Sequence, residues 1–269
     1  VHTSMLLSIF CGLFIGVLGF FTSGEMLKIM NAPDDVIDLA TLYLKIYFLG
    51  SPGLMAYNFG AAIVRSTGDT KRPLYILTFS GLVNVALNLF FVIVLKFGVS
   101  GVAIPTIISQ YLSALLIIIH LKHMNNACRL SFRSLRIHSA ELRDILKIGL
   151  PAGIQSSLFS VSNVVIQSTV NSFGSSAMAG VAAGSNYDAY IYTCTNAISQ
   201  TTMTFASQNM GARKYSNLGR VYRHCLLITL AIGVGMGMLG MAFGDFIVGL
   251  FSDDPEVIAI GAERLRLIM

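Results

Sequence analysis

Read for hydrophobic and polar positions, the chain is a series of long apolar runs separated by short polar ones. Apolar residues dominate positions 5–22, 39–64, 74–95, 102–121, 148–173, 177–206 and 222–243, and an eighth run opens near Val257. The first seven approach or exceed the ~18–20 residues a helix needs to cross ~30 Å of hydrocarbon; the eighth, with about 13, is too short to span. The runs are continuously apolar rather than alternating, which predicts helices and argues against the strands of a barrel. The expectation is an all-α polytopic membrane protein.

The one long connection without an apolar segment of spanning length is Lys122–Lys147, and it holds six of the 18 basic residues. Its flanks carry related sequence. At an offset of 220, Val1, Leu6, Leu7, Gly24 and Glu25 meet Val221, Leu226, Leu227, Gly244 and Asp245. After a one-residue insertion, Val36, Ile37 and Leu44 meet Val257, Ile258 and Leu265. Each copy reads as an apolar run, a Gly-acid pair, an acidic Pro-containing loop and a new apolar run. That order predicts an internal repeat and two pseudo-symmetric helical bundles. The expected division is 1–121, a basic linker at 122–147, and 148–269.

Composition agrees with the pattern. Hydrophobic residues make up 54% of the chain and charged ones 12%, against roughly 25% charged in soluble domains. Mean hydropathy is +0.71. The net charge of +5 does not point to nucleic acid, because the basic residues sit in short loops between apolar runs. Thirteen of the 18 fall on alternate loops: Arg65, Lys71, Arg72, the six of the linker, Arg213, Lys214, Arg220 and Arg223. The opposite loops hold eight acids, from Glu25 to Glu256. The positive-inside rule therefore places the linker on the cytoplasmic side of a plasma or inner membrane. Cys11, Cys128, Cys194 and Cys225 show no paired metal-ligand spacing and read as reduced and structural. The chain opens on Val1 and stops within an apolar run, so it reads as part of a longer protein, and the isolated piece is not expected to transport.

Several stretches together resemble the multidrug and toxic compound extrusion (MATE) transporters. Ile63–Ile76, IVRSTGDTKRPLYI, looks like that family's cytoplasmic Arg…Gly-Asp-Thr…Pro loop, followed by Asn84 and Asn88 and by GVSGVAIPTIISQ. Gly149–Pro151 looks like the opener of its second half, and Phe205–Lys214 like its Gln-x-x-Gly-Ala loop. The resemblance implies parts of both lobes of a twelve-helix fold, with the segments here similar to helices three to ten. It further implies a secondary antiporter, not an enzyme, that exchanges small organic cations or drugs for Na⁺ or H⁺. No cofactor beyond the coupling ion is implied, and the full-length protein is expected to be monomeric in the bilayer. The segment resembling the family's seventh helix has no acid, unlike the Na⁺-linked branch, and the counterpart of its first helix, where another branch carries a titrating Asp, is not expected within this stretch, which leaves the coupling ion open. A lipid-linked precursor flippase of the same superfamily is the alternative, though it calls for basic residues within the spanning segments.

Asp188 is the candidate centre, as the only acid well inside an apolar run. A charge at such a depth costs about 2.5–3.5 kcal/mol on insertion scales and normally faces a cavity or a partner. It can exchange a proton or hold a cation, or it can be a hydrogen-bonded structural group near the interface. Helical spacing puts Ser185, Tyr192, Thr195 and Ser199 on its face. Asn186, Tyr187, Tyr190 and Tyr192 could hold organic cations on their rings or be ordinary interfacial aromatics. Ser156, Ser160, Asn163, Gln167 and Asn171 form one polar stripe, which can line a wet cavity or join helices. Asn84 and Asn88 are expected to lock helices within the first bundle. Glu263 is either a second acid at a cavity mouth or an ion-paired helix end. Gly68, Asp69, Pro73, Pro151, Gln208 and Gly211 read as structural: glycines for unusual backbone angles, Asp for a cap, Pro to open a helix.

Overall fold

The computed structural model describes residues 1–29, 34–125, 127–171, 173 and 175–268, and among these it contains helices and no strands. Ten α-helices follow in order: α1 (His2–Ile29), α2 (Asp34–Leu49), α3 (Ser51–Ser66), α4 (Lys71–Leu89), α5 (Ser100–Lys122), α6 (Ser139–Asn171), α7 (Ser175–Gly211), α8 (Ser216–Ala242), α9 (Gly244–Gly249) and α10 (Pro255–Ile268). The chain divides into two compact units, Val1–Leu146 and Lys147–Met269.

Four stretches of described helix are long and apolar enough to cross a membrane: His2–Lys28, Lys71–Val94, Ser100–Lys122 and Ser216–Ala242. Fewer segments meet that test than the seven apolar runs suggested. The run 39–64 is two helices of 16 residues each, broken at Gly50. Pro52 has no N–H to give the carbonyl one turn back, and the chain re-starts on a Leu54 N–H···O=C Gly50 bond of 3.0 Å. The α6 and α7 helices have the length, at 33 and 37 residues, but their many Ser, Thr, Asn and Gln residues dilute the apolar content.

In the first unit α3 packs between α1 and α5, while α4 and α2 also lie on α5. Small residues allow the approach. A Cβ at Gly12 would fall 2.6 Å from Pro52 Cα, and one at Gly53 would fall 3.1 Å from the backbone of Gln110. The core joins Met5, Ala56, Tyr57, Ala61 and Val64 to Ala114, Ile117, Leu121, Met124 and Leu130. Outward, Phe10, Phe14 and Phe21 of α1 stay exposed, as expected of a face turned to lipid or to other protein. In the second unit α7 packs on both α8 and α10, with Ala183, Val248 and Leu265 in the core.

The two repeat copies differ at their Gly-acid pairs. In the first copy α1 runs unbroken through Gly24 and Glu25, whereas in the second the helix stops at Ala242 and re-starts as the six-residue α9 at Gly244. Pro151 is not a helix opener here: it lies inside α6, which begins at Ser139. The linker's last residues, SAELRDILK, carry good helix formers and an acid in the first turn, so the helix starts before the proline.

Candidate functional site

The α7–α10 contact is built from small residues. Gly180, Gly184 and Asp188 stand four residues apart on one face of α7, and Val257, Gly261 and Arg264 stand opposite on α10. A Cβ on Gly180 would meet Ile260 Cβ and the Val257 carbonyl at 3.0 Å, and one on Gly261 would meet the Gly180 carbonyl at 2.9 Å. Close backbones of this kind are how helices pack where lipid supplies no hydrophobic drive. They also deliver Arg264 to Asp188: Arg264 Nη2 donates to Asp188 Oδ2 at 2.6 Å, with the side chains 21% and 29% exposed respectively. Gly184 lies directly beneath the guanidinium, where a Cβ would come within 2.9 Å of Nη1.

Asp188 is therefore not the lone carboxylate expected from the sequence. The spacing Gly180–Gly184–Asp188 carried the missing signal, since it marks the helix face on which a partner must sit. Arg264 is the tenth residue of α10, which opens at Pro255. The pair leaves one polar atom on each side unused. Asp188 Oδ1 and Arg264 Nη1 are buried and find no hydrogen-bond partner among the described residues.

The polar stripe of α6 faces a separate hollow. Gln155, Ser156, Phe159, Ser160 and Asn163 of α6, with Tyr192 of α7, line a concavity of about 540 Å³. Ser156 and Ser160 donate back to the carbonyls of Ala152 and Ser156, which leaves Asn163, Gln155 and the Tyr192 phenol as the polar groups offered to the hollow. Gln167 lies further along α6, and the side chain of Asn171 falls outside the described residues. Asn186 donates to the Ala182 carbonyl of its own helix, and Tyr190 is exposed. Tyr187 commits its hydroxyl to the Met236 carbonyl at 2.7 Å, fastening α7 to α8.

Glu263 is exposed and makes no ion pair among the described residues; the arginines beside it take the acids instead. Arg266 pairs with Asp245 at 2.7 Å. By the repeat these two correspond to Lys45 and Glu25, which do not meet: Glu25 pairs with Lys28, and Lys45 lies over the Phe20 ring. Asn84 and Asn88 bond to each other along α4, Nδ2 to Oδ1 at 3.0 Å, rather than across helices. Their four-residue spacing on one helix makes that bond the shorter route.

The loop residues act on the backbone. Gly68 takes φ +92°, and the Asp69 carboxylate accepts the Arg72 N–H at 3.1 Å in the first turn of α4, which Pro73 shares. In the second loop the left-handed position is held by Arg213, at φ +55°, and not by Gly211, which ends α7. Gln208 sits in the last turn of α7, its carbonyl accepting the Ala212 N–H at 3.0 Å.

Comparison with known proteins identifies this arrangement. The chain is 30% identical over 255 residues to the "Probable multidrug resistance protein YpnP" of Bacillus subtilis (strain 168), covering 94% of this chain and 56% of that protein. It is 28% identical to the "Probable multidrug resistance protein YoeA" of the same organism, covering 100% of this chain and 59% of that one. The chain thus spans less than three fifths of the length of these relatives. The fold superposes on a crystal structure of a MATE protein in its bent conformation with a TM-score of 0.88 at 21% identity, covering 97% of this chain and 58% of the other. The MatE family model matches residues 1–90 and 151–269, so both bundles are accounted for, and the chain belongs to the MATE family of membrane transporters.

Proposed function

We propose that the transporter carrying this chain is a secondary active antiporter that exports amphipathic, often cationic, organic compounds in exchange for Na⁺ or H⁺. It would act in the plasma membrane with residues 122–147 on the cytoplasmic side. Family membership and the relatives named as probable multidrug resistance proteins support export of drugs. The observation that carries the coupling is the Asp188–Arg264 pair.

The pair is neutral as a unit, so an incoming cation gains little unless Arg264 moves off. A proton or Na⁺ on Asp188 and a cationic substrate on Asp188 are then alternatives, because each replaces the same guanidinium. That mutual exclusion is what antiport requires. The hollow beside Asn163 and Tyr192 offers an aromatic face and amide groups for the organic part of a substrate. The flippase alternative gains one half-buried arginine, but Arg264 is already neutralised by Asp188, and a pyrophosphate would need several uncommitted cations.

The test is transport by the reconstituted transporter in proteoliposomes. Asp188→Asn should abolish substrate-driven ion flux while leaving the protein folded. Flux equal to wild type would remove Asp188 from the mechanism.

A further inference from the structure

The connection between α5 and α6 is anchored at several points. The Leu130 N–H donates to the Leu121 carbonyl at 3.0 Å, satisfying an end group of α5, and the Leu130 side chain is 2% exposed within the first unit's core. The Ser131 N–H donates to His2 Nε2 at 3.1 Å. Thr3 Oγ1 donates to the Arg136 carbonyl at 3.3 Å and accepts the His138 N–H at 3.2 Å. Between these ties the single turn Phe132–Ser134 is held beside the end of α5.

The result is a concavity of about 560 Å³ lined by Lys122, Arg129, Leu130, Ser131, Phe132 and Arg133. It gathers three cations, and among the described residues no carboxylate pairs with any of them. Phe132 is 56% exposed, with Lys122 Nζ 6.0 Å from its ring centre. Lys122 is the last residue of a 23-residue helix long and apolar enough to cross a membrane, and the end of such a helix falls at the level of lipid headgroups. Arginine forks match phosphate oxygens, and a solvent-facing aromatic beside them suits the first methylenes of an acyl chain.

We propose that this hollow binds the phosphate of an anionic phospholipid from the leaflet at the C-terminal end of α5. Arg129, Arg133 and Lys122 hold the phosphate oxygens, and Phe132 dips toward the acyl region. The bound lipid then pins the 130–138 segment to the bilayer surface. This site is independent of Asp188 and of what the transporter carries.

Native mass spectrometry of the transporter in detergent, titrated with phosphatidylglycerol or chain-matched phosphatidylcholine, tests the assignment. Wild type should retain one phosphatidylglycerol preferentially. The paired change Arg129→Gln with Arg133→Gln should weaken that adduct about 25-fold, since each basic residue at an anionic surface contributes roughly fivefold. Arg213→Gln with Lys214→Gln, an equal loss of charge in another loop, should leave it unchanged. Hydrogen exchange in 130–138 should slow on adding phosphatidylglycerol in wild type and not in the Arg129/Arg133 variant, which checks the site without relying on affinity. Equal weakening by both paired changes would reduce the effect to net charge and overturn the site. Displacement of the lipid by free inorganic phosphate, with phosphate itself retained, would overturn the lipid as ligand.

Discussion

Arg264 Nη2 stands 2.6 Å from Asp188 Oδ2 and ties α10 to α7 across 76 positions of sequence. Each group makes the other tolerable in a poorly solvated place. Removing one partner leaves the other as an uncompensated charge, while removing both leaves two neutral polar groups. With both side chains less than a third exposed, Asp188→Asn and Arg264→Gln should each destabilise by roughly 1–3 kcal/mol, between the exposed and buried limits. The double variant should cost less than the sum. A thermal-unfolding cycle in detergent measures this, and strict additivity would deny the coupling.

If Arg264 is the competitor that any transported cation displaces, its removal should make Asp188 more available. Arg264→Gln should then bind a cationic substrate about fivefold tighter, taking the tether at roughly 1 kcal/mol. Export should slow, because the carboxylate no longer has an internal cation to hand over to. Weaker substrate binding in this variant would assign Arg264 to the substrate itself.

The close α7–α10 approach depends on missing side chains. Gly261→Ala would place a methyl 2.8 Å from Val248 Cγ1 and 2.9 Å from the Gly180 carbonyl, and backbone cannot give way as a flexible side chain can. Overpacking of this kind costs about 1–3 kcal/mol. Gly233→Ala on α8 meets nothing within 4 Å and should be neutral or stabilising, since alanine is favoured over glycine in a helix by up to ~1 kcal/mol. The melting temperature should fall for Gly261→Ala and should hold or rise for Gly233→Ala.

A buried hydroxyl also fastens one helix to the next. Tyr57, 6% exposed, donates from α3 to the Pro73 carbonyl at 2.8 Å, across the connection that carries Gly68 and Asp69. Tyr57→Phe keeps the ring and loses only that bond, so a cost near 1 kcal/mol is expected. An unchanged melting temperature would show that the α3–α4 turn is held by Gly68 and Asp69 alone.

The helices were legible because lipid imposes long apolar runs, and the repeat because two copies kept the same order of apolar, Gly-acid and Pro-containing stretches. What hydropathy hides is backbone detail within an apolar run. Pro52 breaks 39–64 without changing its polarity, whereas Pro151 fails to end α6 because good helix formers precede it. The carboxylate was visible as an anomaly at Asp188. Its partner was not, because Arg264 sits beside Glu263 and Arg266, and an acid flanked by arginines reads as an ion-paired helix end. Only the helix faces separate them: Arg264 turns to α7, Arg266 to Asp245, and Glu263 to neither. Asn84 and Asn88 show the converse, a spacing that suggested two helices and serves one.

The ordering of the basic connection should hinge on Thr3. Its hydroxyl is the only atom among the described residues that bonds both to the Arg136 carbonyl and to the His138 N–H, and Thr3 is 4% exposed. Thr3→Val preserves the shape and removes both bonds, leaving two backbone groups to find water. Leu130 and the Ser131–His2 bond remain, so the segment should loosen from its far end rather than detach. Hydrogen exchange at 136–138 should quicken about five- to tenfold, as expected for roughly 1 kcal/mol of lost local protection, with global stability little changed. Thr22→Val, which removes bonds only within its own helix, to the Leu18 carbonyl and to Met26 Sδ, is the matched control and should leave exchange there as it was. Equal exchange at 136–138 in both variants would mean that Leu130 alone sets the course of the connection.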